Sequence, residues 1–309
     1  MLGFLVRRLL VAIPTVFLII TLAFFLMRAA PGSPFDLERP IPEAIKVRLA
    51  EKFHLDKPIA VQFGYYLKDL SRGDLGPSMK YKDKTVSNII AEGFPVSATL
   101  GLSAMGLAVL IGSLLGGFAA LKQNQAGDYA VMGIAMTGIS IPPFVTGPVL
   151  ALVFGLYLGW LPTAGLDRGQ LTFTHLLLPV ITLSLPQIAI ISRLMRASMI
   201  ETLRSNYIRT AYAKGLPGYM VVVRHALRAA VLPLISYLGP ATAALLTGSI
   251  VVEQIFALPG IGRQFVMGAL QRDYTVVMGV VILYASLIII LNLVADLLYG
   301  VLDPKVRYD

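Results

Sequence analysis

Residues 9–27 read LLVAIPTVFLIITLAFFLM, nineteen residues without a charged side chain. About 20 predominantly apolar residues cross the hydrocarbon core of a bilayer as a helix. Arg7 and Arg8 stand before the run and Arg28 directly after it. A cleaved signal peptide competes with this reading, because Ala29-Ala30 resembles the small residues of a cleavage site. The apolar region of a signal peptide is only about 7–15 residues, so an uncleaved first span is expected.

Working outward, similar apolar stretches recur near residues 96–121, 130–158, 176–191, 229–252 and 276–298. The expected fold class is an all-α membrane protein with six transmembrane helices. Composition agrees: 56% of residues are hydrophobic and 14% charged, with mean hydropathy +0.76. Soluble domains carry about 25% charged residues. Pro142-Pro143, Pro148, Pro186, Pro233 and Pro240 fall inside these stretches. Each removes a backbone donor, which a packed bundle or a water-lined cavity re-satisfies. They fit a bundle with an internal path, and plain kinks fit any single one of them equally well. Small residues at Gly112, Ser113, Gly116 and Gly117 suit close helix approach.

The net charge is +9. The basic residues lie mostly between apolar stretches, so membrane topology accounts for them without nucleic acid. With the amino terminus inside, the inner segments hold Arg7, Arg8, Lys122, Lys305, Arg307 and seven basic residues of 193–228. The short outer loops hold Arg168, Arg263 and Arg272. Both termini are therefore expected on the cytoplasmic side. Residues 29–95 do not vote, because long segments translocate largely regardless of charge.

That long segment is not featureless. Ile59, Phe63, Tyr66, Leu67 and Leu70 share one helical face. A second short helix is expected over 43–53 after Pro42, and a third opening at Thr85 or Ser87. Residues 1–95 are thus a first span (about 9–27) plus a small helical cap on the outer mouth. Residues 96–301 form a five-helix core, and 302–309 a cytoplasmic tail. Within the core, 193–228 is an inner excursion. Residues 206–215 read as a short helix, with Gly215 placed for a left-handed cap and Leu216-Pro217 ending the run.

No catalytic constellation is visible. The phosphate loop G-x-x-x-x-G-K-[ST] is absent, and none of His54, His175 and His225 belongs to H-E-x-x-H. Residues 101–106 miss the G-x-S-x-G elbow by one residue. There is no Cys, which excludes disulfide and thiolate chemistry. Asp296, with Asn292 one turn before it, reads as a polar contact to a neighbouring helix, with a proton relay as the alternative. The chain is expected not to be an enzyme and to hold no metal or cofactor. Any ATP must be bound by another chain.

The loop Arg209-Thr210-Ala211-Tyr212-Ala213-Lys214-Gly215-Leu216-Pro217, followed by Arg224-His225-Ala226-Leu227-Arg228, resembles the cytoplasmic EAA loop of ATP-binding-cassette importer permeases. The stretch from Val252-Glu253-Gln254 to Pro259-Gly260-Ile261-Gly262 is similar to the peptide and nickel branch of that family. So are Arg272-Asp273-Tyr274, Asp296-Leu297-Leu298-Tyr299 and Asp303-Pro304-Lys305. The opening residues, through Ala30-Pro31-Gly32-Ser33-Pro34, resemble the first of the two permease subunits, nearest the B-type subunits of oligopeptide permeases. The resemblance implies a type I importer fold in the cell inner membrane. It also implies a second homologous permease, two cytoplasmic ATPases and an external peptide-binding protein. Arg209, Thr210, Ala211, Lys214, Gly215 and Leu216 would then form the ATPase-coupling loop. Arg209 stands where the broader family has Glu, so a salt bridge through that Glu does not carry over. Thr275 replaces a proline often found after Arg-Asp-Tyr. The implied cargo is oligopeptide, with dipeptide, glutathione or nickel as alternatives and a proton-driven carrier as the rival mechanism.

Overall fold

The apolar run that begins at Leu9 lies inside α1 (Leu2–Ala29), which carries Pro14 in its interior. The computed structural model describes residues 2–29, 34–35, 42–167, 169–247 and 250–302, the side chains of 2–7, 9, 43 and 299–302 excepted. Arg168, Lys305, Arg307, the 303–305 motif and residues 30–33 lie outside the described residues. After α1 come α2 (Glu43–Lys52), α3 (Ile59–Ser71), α4 (Val86–Leu121), α5 (Ala126–Ser140) and α6 (Pro143–Leu150). A π-helical stretch, Ala151–Tyr157, extends α6. Then follow α7 (Phe173–Leu203), α8 (Asn206–Ala213) and α9 (Gly218–Met220). A second π stretch (Val221–Ala226) leads from α9 into α10 (Leu227–Ala230). The chain continues through α11 (Leu232–Leu246), α12 (Ile250–Ile255), α13 (Ile261–Gln271) and α14 (Tyr274–Leu302). No strand occurs among the described residues beyond two isolated bridges.

Among the described residues, five helices meet the length and hydropathy needed to cross a membrane. A sixth arises if α5 and the α6 segment, bent by 101° to one another, count as one. The third span, expected near 130–158 with prolines inside it, is therefore broken into two helices and not merely kinked. Pro142 and Pro143 are the physical reason: Pro143 opens α6 and cannot donate to α5. The cap also differs from expectation. Its third helix is not separate, because it is the first part of α4. Thr85 caps that helix, its side chain accepting from the Asn88 N–H at 3.2 Å. The helix then runs through Pro95 into the span.

The most extensive helix contact is between α4 and α7. A Cβ added at Gly116 would stand 2.3 Å from the Ser192 carbonyl and 2.8 Å from Met195 Cβ. Gly138 brings α5 equally close, with a Cβ 2.4 Å from the Leu185 carbonyl. Backbones meet here because the side chains are missing. Around this junction Leu100, Met105, Leu178, Ile191, Leu234 and Phe256 are buried in one apolar core.

The outlying α1 packs on α14. Arg8 and Arg28 are twenty residues apart, about 30 Å along a helix, which matches a bilayer's thickness. Arg8 pairs with Asp296 of α14. At the other end Arg28 lies 3.6 Å over the Phe24 ring and donates to Gln62 Oε1 at 2.7 Å. The apolar face of α3, carrying Phe63, Tyr66, Leu67 and Leu70, packs on Ile20 and Phe24 of α1 and Met278 of α14.

Candidate functional site at the α8 end

The stretch singled out by the sequence folds as an appendage of α7. That helix continues to Leu203, turns at Arg204 and Ser205, and restarts as α8. Ile208 and Ala211 are buried against Ala120 of α4, Met195 and Met199 of α7, and Val221, Ala226 and Ala230 beyond α8. Tyr207 and Tyr212 are half exposed, and Arg209, Thr210 and Lys214 face outward with them. A short helix with so small a buried face needs its ends fixed. Gly215 does this in the left-handed conformation, φ +78°. Its N–H bonds to the Tyr212 carbonyl at 2.9 Å, and the Leu216 N–H to the Ala211 carbonyl at 3.3 Å. Those two bonds make a Schellman stop, and Leu216 packs on the same apolar cluster. The six expected site residues thus divide. Ala211 and Leu216 seat the helix, Gly215 ends it, and Arg209, Thr210 and Lys214 form an exposed, uncrowded surface.

Beside this segment lies an ion pair that the sequence reading missed. Asp128, in the first turn of α5, accepts from Arg196 Nε and Nη2 of α7, both at 2.6 Å. Asp128 is almost completely buried. The two residues are far apart in the chain and share no local motif, so only an acid opening an apolar helix marked the site.

At the opposite end, the motif of 252–262 is also explained by a buried acid. Glu253 on α12 has no exposed surface. Its carboxylate accepts from the Ser97 hydroxyl at 2.6 Å and the Arg263 N–H at 3.0 Å. The Ser97 oxygen in turn accepts from the Ile261 N–H at 2.9 Å. Glu253 and Ser97 together cap the start of α13, where amide donors would otherwise lack partners. Gly260 belongs in the motif because a Cβ there would lie 2.2 Å from the Glu253 carboxyl carbon.

Asp273 does the same for α14. It accepts from the Ser78 hydroxyl and from the N–H groups of Met79, Lys80 and Val276, at 3.2, 3.3 and 3.2 Å. Thr275 sits in the first turn, where a proline is equally at home. Its hydroxyl lies 2.8 Å from both the Pro77 carbonyl and Asp273 Oδ1. The replaced proline therefore leaves the entry to α14 intact. A cleft of about 610 Å³ opens between α2 and the 77–85 hairpin, walled by Ile45, Leu49, Phe53, Tyr81 and Lys82 among others.

Residues 112–308 match the family described as "Binding-protein-dependent transport system inner membrane component", and residues 1–101 match its N-terminal counterpart. The oligopeptide transport system permease protein OppB of Escherichia coli K12 is 53% identical over 308 residues, covering all of both chains. The OppB protein of Haemophilus influenzae is 50% identical over the same length. The dipeptide permease DppB of Bacillus subtilis is 43% identical, over 98% of this chain and 97% of its own. Among solved structures, a chain of the MetNI methionine ABC transporter superposes with TM-score 0.57 at 17% identity, covering 70% of this chain and 96% of that one. That likeness shows a shared type I permease fold. The chain belongs to the binding-protein-dependent transport system inner membrane components, as a multi-pass membrane permease.

Proposed function

We propose that this chain is one of two membrane-spanning subunits of an ATP-driven importer of oligopeptides. The observation that carries this reading is full-length identity of 50–54% to oligopeptide permeases, against 43% and 38% to the dipeptide permeases. Dipeptide import is the second reading, and those same relatives favour it.

In this reading the α8 end faces the cytoplasm. The excess of Lys and Arg in its connections supports that orientation. The outward face of α8, with Arg209, Thr210, Lys214 and Gly215, rests in a cleft of an ATPase subunit that binds the ATP. The two-residue turn at Arg204 and Ser205 and the shared apolar cluster carry a push on α8 to α7, while the stop at Gly215 keeps the far end of α8 wound. The cap of α2 and α3, with the cleft beside Lys82, receives the peptide-binding protein. A second homologous permease completes the pathway. ATP binding closes the ATPases, the coupling helices approach, and the pathway opens outward to take peptide.

The test is reconstitution of the whole complex, with the Gly215→Asp variant in parallel. Import of a radiolabelled pentapeptide should exceed that of a dipeptide, and Gly215→Asp should abolish peptide-stimulated hydrolysis and uptake together. Wild-type uptake by that variant would remove the coupling assignment. Preference for the dipeptide would move the cargo to the second reading.

A further inference from the structure

The connection between α4 and α5 is fastened to α7 at two levels. Arg196 holds Asp128 through two parallel bonds of 2.6 Å. Beyond the end of α7, Arg204 Nη2 donates to Gln123 Oε1 at 3.2 Å. The connection is itself ordered around the acid. The Asn124 N–H donates to Asp128 Oδ2 at 2.9 Å, with Asn124 in the left-handed region at φ +59°. A forked guanidinium–carboxylate pair fixes orientation as well as distance.

Stability alone is a poor reason for this pair. Arg196 keeps 27% of its side chain exposed, and ion pairs open to the surface contribute little to stability. Backbone packing at Gly138 already holds α5 on α7. What the pair adds is a fixed register at the α8 end. There α7 runs into α8 through a two-residue turn, and Met195 and Met199 share one apolar cluster with Ile208 and Ala211.

We propose that Arg196 is a positioning residue for transport: its clasp on Asp128 makes α5 move with α7 and α8, so that displacement of α8 reaches the bent third span. The proposal rests on the reading of α8 as the ATPase-contacting segment. Severing the clasp should leave an assembled complex that hydrolyses ATP yet delivers less peptide for each ATP. A merely structural role would lower hydrolysis and import together, leaving their ratio unchanged.

The experiment uses the complete complex in proteoliposomes and reads peptide imported per ATP hydrolysed. For Asp128→Asn the ratio should fall about tenfold, within the usual range of coupling between sites, while the ATPase rate stays near wild type. Arg196→Lys keeps the charge but not the fork, and should lower the ratio less. It also serves if Asp128→Asn does not assemble. A wild-type ratio in assembled Asp128→Asn, or in Arg196→Lys where that alone assembles, overturns the clasp. Gly215→Asp separates the two claims. If it abolishes import while the clasp variants keep the wild-type ratio, only the clasp falls. If it imports normally, the α8 reading falls, and the clasp proposal falls with it.

Discussion

The hydroxyl of Ser97, on α4, bridges two chain segments: it donates to Glu253 Oε1 at 2.6 Å and accepts from the Ile261 N–H at 2.9 Å. One buried oxygen thus joins a span to the start of α13. Ser97→Ala leaves a buried carboxylate with one donor fewer and a buried amide without its acceptor. That should cost about 1–3 kcal/mol, read as a lower unfolding temperature of the purified protein in detergent. An unchanged transition would mean the bridge is not formed.

Two adjacent glycines make a matched pair. Gly116 meets the α7 backbone, whereas nothing lies within 4 Å of a Cβ added at Gly117. Gly116→Ala should destabilise by about 1–3 kcal/mol through overpacking. Gly117→Ala should be neutral or slightly stabilising, since Ala is the better helix former. Thermal unfolding of both variants checks the orientation of α4, and reversed effects would place α7 on its other face.

Gly215 has open space around it, so only its backbone conformation resists substitution. Gly215→Ala should cost about 1–2 kcal/mol locally, and Gly215→Asn less, because Asn tolerates that region. Hydrogen exchange of the α8 amides should quicken in the order Gly, Asn, Ala. Equal rates in all three would show that the cap does not hold the helix.

Arg8 and Asp296 join α1 to α14 through side chains that remain 48% and 34% exposed. The contact ties one helix to another and is not joined to a chain of further carboxylates among the described residues. Asp296→Asn should therefore leave uptake near wild type. A proton relay through this carboxylate would instead lose uptake entirely, which a transport assay distinguishes directly.

Much of this architecture was legible because it is local. The spacing of Ile59, Phe63, Tyr66, Leu67 and Leu70 marked α3, and the stop after Lys214 followed from Gly215-Leu216-Pro217. Gln62 escaped the reading. It is polar and falls beside that apolar face, yet it is buried, donating to the Lys57 carbonyl at 2.8 Å and accepting from Arg28. The 101° bend was hidden because a proline pair inside an apolar run signals a kink without its size. The pairs Asp128–Arg196 and Ser97–Glu253 depend on tertiary packing between distant elements, and periodicity carries no information about which elements meet.

We propose that energy enters this chain from an ATPase seated on α8. This is tested most directly by peptide uptake into proteoliposomes containing the complete complex, with the binding protein on the cap side and ATP on the α8 side. Accumulation should require ATP, stop with vanadate and persist when the proton gradient is collapsed. Accumulation driven by an imposed proton gradient without ATP would contradict it.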